Sequence, residues 1–152
     1  MPKGKKSGSR GDEENSSTKR ENASSARVSS EIDRLCKKIL NSDDSILSLT
    51  INDEKGEILG HAFGQEYEKK YMELASEIRS RAGLFSALIF GISAETEKVF
   101  GEIESVVRIY SKAVLILVPF ESGKKMVTIL AEKRASPEEI SDRVKKILER
   151  SR

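Results

Sequence analysis

The chain has 152 residues, with 34% charged and only 5% aromatic residues and no tryptophan. That length suits one domain whose core is built from Ile, Leu, Val and Ala. The formal net charge of +2 is unevenly spread: residues 1–28 hold seven Lys or Arg against four acids, leaving 20 against 21 for the remainder. The surplus sits in Lys3, Lys5, Lys6, Arg10, Lys19, Arg20 and Arg27, which reads as a solvated tail and argues against nucleic acid as the partner of the folded part. Cys36 is the only cysteine, which excludes an internal disulfide and a thiolate metal cluster. The longest apolar stretch, Ala82 to Ile92, is about half of a membrane span, so no span is expected and the chain reads as cytoplasmic.

In chain order, residues 1–28 contain almost nothing apolar and are expected to be a disordered basic tail, with the folded domain at 29–152. Ser30 is the expected N-cap of a first helix, with Asp33 three residues on and Ile32, Leu35, Cys36, Ile39 and Leu40 at helical spacing up to Asn41. From Leu47 the period becomes two, with Leu47, Leu49 and Ile51 on one face and Ser48 and Thr50 on the other, as in a half-buried strand. Asp53-Glu54-Lys55-Gly56 reads as a type I turn with Gly in the left-handed position, and Glu57 to Phe63 closes the hairpin. The acidic turn does not read as a calcium loop, because Lys55 stands where an oxygen ligand is needed.

After Gly64 a long helical stripe runs through Tyr67, Tyr71, Leu74, Ile78, Phe85, Leu88 and Ile92. From Ala82 onward it is apolar all round, so a partner is expected to cover one side. Leu84, Phe85, Leu88, Ile89 and Ile92 are the expected dimer interface. Glu95 to Ser111 supports two readings. In one, a helix ends near Gly101 and a strand follows; in the other, Leu84–Ile92 is the strand and Ser93–Tyr110 the helix. Ala113 to Phe120 and Met126 to Glu132 form a second hairpin, and Ser136-Pro137-Glu138-Glu139 opens a final helix that buries Ile140, Val144, Ile147 and Leu148.

This order of elements, the strand Ser45 to Ile51, the turn Asp53 to Gly56, and the stretches Lys112 to Pro119 and Ala131 to Pro137 together resemble the roadblock/dynein light-chain domain, its archaeal members in particular. Profilin-like and longin-like domains share the general layout. The resemblance covers about Ile32 to Leu148, and the long helix departs from it by its length. It implies an α+β fold: a five-stranded antiparallel sheet with the two terminal helices on one face and the long helix on the other. It also implies dimerisation through that helix and the adjoining third strand, as a homodimer or with a paralogue, and a platform role for a small GTPase or a larger assembly.

No catalytic, cofactor-binding or metal-binding residue is expected. His61 is the one histidine, and its sequence neighbours supply neither a nucleophile nor a second acid. Cys36 lies on the apolar face of its helix and reads as core. Two other function classes stand beside the non-catalytic scaffold: a small-molecule sensor of profilin-like fold, and a nucleic-acid accessory acting through the basic tail.

Overall fold

The computed structural model describes residues 28–64 and 95–151. Residues 1–27 of the expected tail and the long helix, with Leu84, Phe85, Leu88, Ile89 and Ile92, lie outside the described residues, and Val28, expected in the tail, is helical. The elements are a helix over residues 28–40 (α1), strands Ile46–Asp53 (β1) and Ile58–Phe63 (β2), a helical stretch over residues 95–100 (α2), strands Val106–Ile109 (β3), Ala113–Phe120 (β4) and Lys125–Glu132 (β5), and helix Pro137–Glu149 (α3). The strands form one antiparallel sheet in the order β2-β1-β5-β4-β3.

Antiparallel register places directly opposed residues on one face, so the core can be read as rows across the strands. One row is Val107, Ile116, Ile129, Leu49 and Ala62; a second is Ile109, Val114, Ala131 and Ile46; a third is Val118, Val127, Ile51 and Gly60. Ile32, Cys36 and Ile39 of α1 and Ile140, Val144, Ile147 and Leu148 of α3 join these rows in one buried cluster. Both terminal helices therefore cover the same face, as expected. Gly60 is where α1 comes closest: a Cβ there would lie 2.4 Å from Ile32 Cγ2 and 3.2 Å from Cys36 Sγ.

Several local expectations hold. The Asp53–Gly56 turn closes with Gly56 N–H donating to Asp53 O at 3.0 Å and Gly56 at φ 83°. Asp53 Oδ1 accepts from the amides of Lys55 and Glu57, both at 2.9 Å, which is the side-chain turn closure that Asp favours. The helix-then-strand reading of Glu95–Ser111 is the one observed, and the helix over Ser93–Tyr110 is excluded. Gly101 ends α2 at φ 87°, with its amide on Glu97 O at 3.0 Å. The space around Gly101 is open, so it is the left-handed backbone that calls for glycine there.

Other expectations are corrected. The backbone is already helical at residues 28–30, so Ser30 lies inside α1 and is not its N-cap. Ser136 does cap α3, but through its carbonyl, which accepts from Ile140 N–H at 3.1 Å, and its hydroxyl makes no cap bond. The face assignment of β1 shifts at Leu47, because the β1–β5 register slips between Ile46 and Ser48. A bulge there opposes two residues to one. Ile46 therefore joins the core and Leu47 is only half-buried. Nor is β1 polar and exposed on its second face, since Ser48, Thr50 and Asn52 are all buried.

Candidate functional site

Six large apolar side chains stand exposed among the described residues, and five of them gather along β3 and the segment leading into it: Val99, Phe100, Val107, Ile109 and Tyr110. In a small sheet, apolar surface concentrated at one place marks an interaction surface more often than chance scatter does. The cause here is topological. Val107 and Ile109 belong to the same rows as Ile116 and Val114, which are fully buried, yet they are 39% and 68% exposed. The rows run out from under α1 and α3 before they reach β3.

β3 is an outer strand with one neighbour, β4. Tyr110 N–H donates to Ala113 O at 2.9 Å to close the β3–β4 hairpin. The amides that face β4 in an antiparallel ladder alternate, so Val106 and Arg108 also bond toward β4, while Val107 and Ile109 direct N–H and C=O away from it. Such an outward row is a template for another strand unless charge, proline or a covering element blunts it. In β3 the only charged residue is Arg108.

Polar contacts fix both ends of this edge. Lys133 Nζ donates to Tyr110 O at 2.8 Å, tying the hairpin to the β5–α3 loop. Before β3, Lys145 of α3 donates to Glu104 Oε2 at 2.7 Å and holds that carboxyl below its usual range. A similar tie holds the middle of α3 to the segment between α1 and β1. Arg143 donates to Ser42 O at 2.8 Å and to Asp43 Oδ2 at 2.6 Å. Asp43 Oδ1 also takes the Ser45 hydroxyl and amide, at 2.5 Å and 2.9 Å. The Ser45 hydroxyl bond, then its amide and Arg143, outweigh burial and hold the Asp43 carboxyl low.

The residues weighed for chemistry do not converge. Cys36 is fully buried against Gly60, and burial, with a smaller contribution from Asp33, pushes its thiol up to about 12. A thiol so placed is not ionised at neutral pH and is no nucleophile. His61 is exposed on the opposite face of β2, its ring 4.9 Å from that of Phe63. No group of three or more metal-ligating side chains occurs among the described residues, and no helix among them is long and apolar enough to cross a membrane. Nothing in the sequence of Val106 to Tyr110 says that its strand is outermost, whereas the Ala82–Ile92 stretch is apolar enough to stand out by itself.

No protein-family model matches the chain, and no curated protein does. Solved structures do match. A Roadblock/LC7 domain from Streptomyces avermitilis is 16% identical, with 78% of this chain and 92% of that chain covered and a TM-score of 0.56. The gliding protein MglB from Thermus thermophilus is 13% identical, covers 80% and 88%, and has a TM-score of 0.62. An MglB structure with a tetrameric arrangement is 14% identical, covers 82% and 92%, and has a TM-score of 0.56. At these identities the likeness is one of architecture. The chain has the α+β fold of a roadblock/LC7 domain.

Proposed function

We propose that this protein is a non-catalytic dimerising scaffold, a roadblock-type platform on which a small GTPase is regulated or a larger assembly is built. The observation that carries this reading is the β3 edge, where Val107 and Ile109 continue buried core rows into solvent and where the backbone directs a row of donors and acceptors outward. Two copies related by a two-fold axis normal to the sheet join such edges into one continuous sheet. The apolar side chains at Leu84, Phe85, Leu88, Ile89 and Ile92 extend the same interface in this proposal, and a paralogue with a matching edge substitutes for the second copy. The tetrameric arrangement of MglB supports self-association by this fold.

Sedimentation velocity of the full chain over a range of concentrations tests the dimer. The wild type sediments as a dimer at tens of micromolar, on the order of ordinary interface affinities, and Ile109→Glu sediments as a folded monomer, because it puts an unpaired charge into the joined edge. Co-purification with small GTPases loaded with GDP or GTP tests the platform role. Binding to the dimer and not to the Ile109→Glu monomer is expected. A wild type that stays monomeric alone and also pairs with no paralogue overturns the reading.

A further inference from the structure

We draw no further inference here: the strongest candidate, the row of buried polar side chains Ser48, Thr50 and Asn52 on the face of the sheet turned away from α1 and α3, carries nothing, because nothing among the described residues shows what covers that face.

Discussion

Replacing Gly60 with alanine adds one methyl group at the closest approach of α1 to the sheet, 2.4 Å from Ile32 Cγ2 and 3.2 Å from Cys36 Sγ. The first distance is far inside van der Waals contact. Ile32 is β-branched and helical, so its χ1 has little freedom to turn the methyl away, and relief requires α1 to shift. Overpacking of this kind costs about 1–3 kcal/mol, and the lower backbone entropy of alanine in the unfolded chain returns about 0.4–1 kcal/mol. The net loss expected for Gly60→Ala is about 1–2 kcal/mol. With a urea m-value of roughly 2 kcal/mol/M, the unfolding midpoint followed by circular dichroism falls by about 0.5–1 M. A double-mutant cycle isolates the cause. Ile32→Ala removes the obstructing methyl and costs about 2–4 kcal/mol through lost packing, and in that background Gly60→Ala becomes neutral or stabilising. An equal cost of Gly60→Ala in both backgrounds refutes the steric argument.

Three further predictions concern groups outside the β3 edge. Asp43 is a carboxyl whose folded pKa lies below its ordinary 3.8; its contribution is complete above that value and is lost as pH falls through the folded pKa. Asp43→Asn is therefore expected to cost about 1–2 kcal/mol at about pH 7, less than a fully buried charged hydrogen bond because the site is partly solvated, and the gap from wild type closes in denaturation series as pH falls through the folded pKa. Cys36 has its folded pKa raised to about 12, so the unfolded thiol ionises first and wild-type stability falls from about pH 9 upward relative to Cys36→Ala; at about pH 8 the native thiol resists alkylation, which mass spectrometry reads directly. His61→Ala removes an exposed ring that stacks at a tilt on Phe63 and is expected to change stability by under about 0.5 kcal/mol.

The elements legible in the sequence are those fixed by local chemistry. The left-handed glycines at Gly56 and Gly101 announce a turn and a helix end, because few other residues take that backbone. The run Ala113 to Phe120 matches β4 residue for residue, and its doubly apolar pattern suits a strand flanked on both sides. What the sequence does not show is set by non-local geometry. The bulge at Leu47 comes from how β1 meets β5, and it moves Ile46 into the core without any local signal. Ser48 and Thr50 look like a solvated face but are buried. The exposure of Val107 and Ile109 follows from the strand order, which places β3 outermost; alternation alone would put them in the core with Ile116 and Val114.

Amide hydrogen exchange, resolved by residue and repeated at low and high protein concentration, tests the β3 edge most directly. The N–H groups of Val107 and Ile109 are directed away from β4 and enter a ladder only when a second strand arrives. The account predicts that their exchange slows as concentration rises through the dimerisation range, while Val106 and Arg108, already bonded toward β4, change little. Exchange at Val107 and Ile109 that stays fast at every concentration, in a chain that nevertheless sediments as a dimer, contradicts pairing through β3 and places the interface elsewhere on the molecule.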